Sequence, residues 1–177
     1  MFERFRPENS VVVVVDIQAK MMPVILDGDR VVARTRFLLR AAQILGVAVM
    51  ATEQNPGRLG PTDTSLEDWI GEPRSKMSFS AAEFVPTDVQ NVVLVGVETH
   101  ICVAQTVLDL RSRGQSVAVV SDAVGARTQD RHTAGLQAIV AAGARLIHSE
   151  ALVYEWIATA EHPRFRDILG LVKELDS

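Results

Sequence analysis

A single cysteine in 177 residues rules out an intrachain disulfide framework and fits a reducing compartment. Basic blocks are missing too. The net charge is −4 with an estimated pI of 5.6, and Lys and Arg are scattered, which argues against a nucleic-acid surface. Arg34, Arg36 and Arg40 read as the solvated face of a helix. No long apolar run occurs: residues 11–15 are far short of the ~20 residues a membrane helix needs, and residues 1–10 are too charged and polar for a secretory leader. There is no G-x-G-x-x-G or G-x-x-x-x-G-K-[ST] to cradle phosphates. His100, His132, His148 and His162 are dispersed, without H-E-x-x-H or paired-cysteine spacing for zinc, and no G-x-S-x-G elbow is present. These absences predict a soluble, cytoplasmic protein with no cofactor, no metal, no nucleic-acid partner and no membrane partner.

What is present is apolar and regularly punctuated. Hydrophobic residues make up 47% of the chain, enough for one domain over residues 1–177. Residues 11–15, five valines in a row, and residues 92–95 are aliphatic without alternation, as in strands covered on both faces. Residues 47–51, 75–79, 116–120 and 145–147 complete a set of about six strands. Helical spacing appears over residues 30–45, with Asp29 as its expected cap and Val31, Val32, Leu38, Leu39, Ala42 and Leu45 on its buried face. Further helices are expected over 101–113, 130–142, 149–160 and 163–175, with short ones at 66–70 and 81–84, the latter capped by Ser80. Tyr154, Trp156 and Phe165 read as core or subunit contacts. Strands alternating with helices predict a three-layer α/β/α sandwich with a mainly parallel sheet.

Three residues carry candidate chemistry, each with a structural alternative. Asp16 ends the first strand, where it delivers a carboxylate or braces the next loop. Lys76 lies near a sheet edge as a functional ammonium or an ordinary solvated lysine. Cys102 follows the strand over residues 92–95 and falls in the first turn of the next helix, with Thr99 or His100 at the cap. There the helix dipole would lower its pKa from about 8.5, whereas a buried structural cysteine would be inert. Its place at the carboxyl end of a strand favours function, because open α/β sheets hold ligands there. The turn-rich connection over residues 52–73 is long for a compact domain, which marks it as functional or mobile.

In order and spacing, Val14-Val15-Asp16-Ile17-Gln18, Lys76 with Phe79-Ser80-Ala81, and Gly96-Val97-Glu98-Thr99-His100-Ile101-Cys102 resemble the isochorismatase-like cysteine hydrolases, a superfamily that includes nicotinamidases and N-carbamoylsarcosine amidase. Thr52-Glu53-Gln54-Asn55-Pro56, Leu59-Gly60-Pro61-Thr62, Leu108-Asp109-Leu110 and Ser149-Glu150-Ala151 look like the isochorismatase domain-containing branch. The resemblance implies a Rossmann-like hydrolase fold and a catalytic triad of Asp16, Lys76 and Cys102. It also implies a cis peptide between Val97 and Glu98, an oxyanion hole from the N–H groups of Glu98 and Cys102, and substrate contacts from Met21, Gln54 and Ile101. The segment after the second strand lacks the histidines with which nicotinamidases hold a metal. Cys102 stands where vinyl-ether-cleaving isochorismatases carry glycine.

The resulting expectation is a metal-independent amidase-type cysteine hydrolase, acting on a C–N bond of a small-molecule substrate and assembled as a homodimer or higher homo-oligomer. A catalytically weak binding or scaffold protein that keeps the fold is the alternative, and a thiol sensor at Cys102 a third.

Overall fold

The computed structural model describes residues 4–175; residues 1–3, part of the leader reading, and residues 176–177 lie outside them. Six strands form one parallel sheet: β1 Ser10–Val15, β2 Ala48–Gln54, β3 Arg74–Lys76, β4 Asn91–Val97, β5 Ser116–Gly125 and β6 Arg145–Ile147. Their order is β3-β2-β1-β4-β5-β6. The helices are α1 Gly28–Leu45, α2 Pro56–Leu59, α3 Ala104–Ser112, α4 Gln129–Ala141, α5 Ser149–Ile157 and α6 Phe165–Leu175, and 3-10 turns fall at Met22–Val24, Thr64–Trp69 and Ala82–Phe84. Among the described residues no helix is long and apolar enough to cross a membrane.

The valine runs form central strands because both faces of each strand are covered. On one face Val12, Val14, Val93, Val95, Ala118 and Val120 meet Leu38 and Leu39 of α1, Leu152 of α5 and Ile168 of α6. On the other, Val11, Val13, Val92, Leu94, Val117 and Val119 meet Val107 and Leu110 of α3 and Ile139 of α4. A strand with polar alternation could not occupy such a position without burying unpaired groups.

Several expected boundaries shift. The N-cap of α1 is Asp27, at φ +53°, and Asp29 lies inside the first turn. Val32 and Leu45 are only partly buried, whereas Thr35 and Phe37, absent from the expected face, are buried. The N-cap of the Ala82–Phe84 turn is Ala81 rather than Ser80, although Ser80 Oγ accepts the Ala82 N–H at 3.2 Å. β2 runs three residues past Ala51 and β5 five past Val120, because parallel neighbours supply backbone partners after the apolar run has ended. β5 is irregular there: Leu94 pairs with Val119, but Gly96 pairs with Val124.

Candidate active site

The direction of strand addition reverses between β1 and β4. The chain leaves β1 toward β2 and leaves β4 toward β5, so the two connections diverge and open a crevice beyond the carboxyl ends of these strands. Asp16 directly follows β1 and Cys102 shortly follows β4, so both flank that crevice.

Asp16 has φ +54°, a left-handed conformation that costs an L-residue roughly 1 kcal/mol and that Asp tolerates better than most. Both carboxylate oxygens are occupied. Thr52 Oγ1 donates to Oδ1 at 2.8 Å, and Lys76 Nζ donates to Oδ2 at 2.7 Å. Lys76 sits on the edge strand β3, where its side chain is fully buried beneath the following loop. Its ammonium has four acceptors for three N–H groups: Asp16, Gln54 Oε1 at 2.8 Å, and the carbonyls of Phe79 at 2.9 Å and Ser78 at 3.2 Å. Without such partners, taking an ammonium out of water costs several kcal/mol.

The β4 end is held by close backbone approach. Gly96 has φ +119°, and a Cβ there would lie 2.0 Å from the Val15 carbonyl oxygen. The Val97–Glu98 peptide is cis. Next comes a π-helical turn, Thr99–Val103, capped by Glu98, and α3 begins only at Ala104. Cys102 is therefore in this wide turn rather than in the first turn of an α-helix capped by Thr99 or His100. The Ile101 and Val103 N–H groups both donate to the Glu98 carbonyl. Thr106 Oγ1 donates to the Cys102 carbonyl at 2.7 Å and accepts from the Ala81 N–H at 2.9 Å. From the far side α4 presses on the turn through Gly135, where a Cβ would lie 2.7 Å from the His100 nitrogen.

The thiol's electrostatics reverse the expectation from helix position. Burial pushes Cys102 up to about 12, and the Asp16 charge and its hydrogen bond to the thiol act in the same direction. Lys76 and a hydrogen bond from the Glu98 backbone oppose them and lose. Desolvation beside a carboxylate outweighs both, so the resting thiol is protonated at neutral pH.

Asp16, Met21, Gln54, Val97, Glu98, Ile101 and Cys102 all line one cavity of about 140 Å³, and Lys76 lies against Asp16. Leu59 and Phe79 complete the lining; the sequence offered them only as members of motifs, with apolar character but no sign of direction. Gln54 uses its amide on Lys76 and on the Met77 carbonyl, at 2.9 Å. The Glu98 carboxylate is buried and accepts from the Arg127 backbone N–H and Nε, each at 3.1 Å. Nothing in the local sequence of Thr52, Thr106 or Arg127 marks the partners that the fold brings to them. Among the described residues, no group of three or more His, Cys, Asp or Glu could hold a metal ion.

An Isochorismatase domain model matches residues 81–151, a stretch that includes β4, the π-turn and β5. Isochorismatase domain-containing protein 2A of Mus musculus is 35% identical over 177 residues, covering 97% of this chain and 86% of its own. A structure described as MAR1 ribonuclease from Caenorhabditis elegans superposes with a TM-score of 0.92 at 35% identity, covering 97% of this chain and 93% of that one. The YcaC gene product of Escherichia coli, described as an octameric hydrolase of unknown specificity, has a TM-score of 0.80 at 18% identity, with 99% and 98% covered; at that identity the likeness speaks for the fold alone. Sequence identity sustained along nearly the whole chain, on a shared six-stranded architecture, makes this protein a member of the isochorismatase family of hydrolases.

Proposed function

We propose that the protein is a metal-independent cysteine hydrolase that opens a C–N bond of amide or ureido type in a small molecule, with Asp16, Lys76 and Cys102 as its triad. The observation that carries this reading is the Asp16 carboxylate, buried, fixed on both oxygens and set beside the Cys102 thiol in the wall of one cavity. A thiol near pKa 12 attacks as its proton passes to Asp16, which acts as general base. The S–C bond forms, the carbonyl pair moves onto oxygen, and the N–H groups of Glu98 and Cys102 receive the oxyanion. On collapse the C–N bond breaks, the nitrogen takes the proton held by Asp16, and ammonia or an amine leaves a Cys102 thioester. Asp16 then deprotonates water, whose oxygen attacks the thioester; the sulfur leaves and recovers that proton. Lys76, bonded to Asp16 Oδ2 at 2.7 Å, holds the carboxylate in register with the thiol through these steps.

The test is ammonia release across a panel of small amides and ureides. Cys102→Ala is expected to lower turnover by on the order of 10³-fold or more, and acid-quenched wild type is expected to carry an acyl mass on Cys102. Turnover of the same substrate unchanged in Cys102→Ala would defeat the triad. The protonated thiol gives some support to a second reading, a binding protein with weak catalysis, which Cys102-independent binding without turnover would favour. Self-association belongs to the proposal by analogy with the octameric YcaC product, and light scattering reads it against the 19.3 kDa chain.

A further inference from the structure

The cavity's charged groups are all engaged, and this restricts what it can hold. Its lining contains two ionisable carboxylates, Asp16 and Glu98, each already bonded to a cation: Asp16 to Lys76 and Glu98 to Arg127. Neither cation is itself a lining residue. Lys76 has more acceptors than protons, and Arg127 turns its Nε onto Glu98. The polar amide of Gln54 is committed at both ends. Met21, Leu59, Phe79, Val97 and Ile101 make the remaining wall apolar.

We infer that the substrate is uncharged on its acyl side: a small neutral amide or ureide with an apolar acyl group, not a carboxylate-bearing one. A carboxylate placed here would meet two existing carboxylates and no unengaged cation in the lining, and burying an unpaired charge is strongly unfavourable. An apolar group needs no partner and gains from leaving water. The volume of about 140 Å³ is below the roughly 300–1,000 Å³ of drug-sized ligand sites, so the acyl group is short. This rests on the proposed reading only in placing the substrate in this cavity; it requires no turnover.

Alkylation of Cys102 provides a probe, because iodoacetamide and iodoacetate differ in charge at nearly equal size. Rates for the full-length protein are followed by intact mass, with 2-mercaptoethanol as the reference thiol. The expected result is a rate preference for iodoacetamide at least about tenfold greater than the reference shows. A preference equal to the reference, or one for iodoacetate, overturns the inference. Thermal unfolding with butyramide and with butyrate at equal concentration gives a second readout that holds even where both alkylating agents react too slowly. Stabilisation by butyramide alone supports the inference, and stabilisation by butyrate or by neither overturns it. Failure of the amide panel, with the neutral preference intact, fells the catalytic reading and leaves this one standing.

Discussion

Two aspartates at the carboxyl side of the sheet form polar nodes of similar composition, yet only Asp16 shares a cavity lining with the cysteine. Asp16, after β1, is held by the Thr52 hydroxyl and the Lys76 ammonium, with Cys102 beside it. Asp122, in the irregular part of β5, accepts the Ser149 N–H at 2.8 Å and the Ser149 hydroxyl at 2.6 Å, with His148 Nε2 at 3.2 Å and Arg34 Nε at 3.6 Å from its Oδ2. Arg30 also donates to the Asp122 carbonyl, at 2.6 Å. The charged or titratable partners of Asp122 reach solvent, with the His148 side chain 49% exposed and that of Arg34 26%, whereas that of Lys76 is 0% exposed. Exposed pairs are screened and contribute little, while a sealed pair holds its charges at high interaction energy. The Asp122 node fastens the start of α5 to β5; the Asp16 node seals an aspartate–lysine pair next to a thiol. A cluster of charges therefore does not identify a site without the crevice at the strand-order reversal.

The largest separation between the nodes is expected from Lys76→Met. It strands the Asp16 charge, and breaking a buried pair costs about 3–5 kcal/mol, read as a lower denaturant midpoint together with lost turnover. The double variant Asp16→Asn/Lys76→Met is expected to regain much of that stability and none of the activity. Stability that stays low in the double variant would show that packing, not charge, sets the cost. Asp122→Ala comes next. It leaves the buried Ser149 N–H without its acceptor, a loss of about 1–3 kcal/mol, with turnover of any validated substrate within about twofold of wild type. A collapse of turnover at unchanged stability would join the two nodes functionally.

The smallest effect is a pH dependence carried by Cys102. Folding raises this thiol from 9.0 to about 12, so the folded chain keeps a proton that the unfolded chain gives up. The stabilisation is complete below the ordinary thiol pKa and is lost as pH rises from about 9 toward 12, by on the order of 1 kcal/mol per pH unit. Urea unfolding between about pH 7 and 10 reads this slope, and Cys102→Ser should remove it. An equal slope in both proteins would place the titration elsewhere.

Residues 11–15 and 92–95 announce central strands without any structure, because an uninterrupted β-branched run is stable only where both faces are buried. Asp16 and Cys102 are legible for the same reason: each follows such a run, and the ends of parallel strands are where a doubly wound sheet opens. Lys76 is different. An isolated lysine ending a three-residue strand carries no local mark of burial; its enclosure comes from the register that sets Gln54 opposite Lys76 and from the loop carbonyls folded over it. The direction of the Cys102 shift was likewise out of reach. A dipole argument needs only helix position, but desolvation depends on every neighbour, and the neighbour that matters here is a carboxylate far away in the chain. Short-range pattern thus specified the layers and the two strand-end residues, since backbone propensity and burial period are local properties. Long-range packing settled which charges pair, which way the thiol titrates and which groups remain available to a substrate, since electrostatics at a buried site is a property of the assembled surroundings.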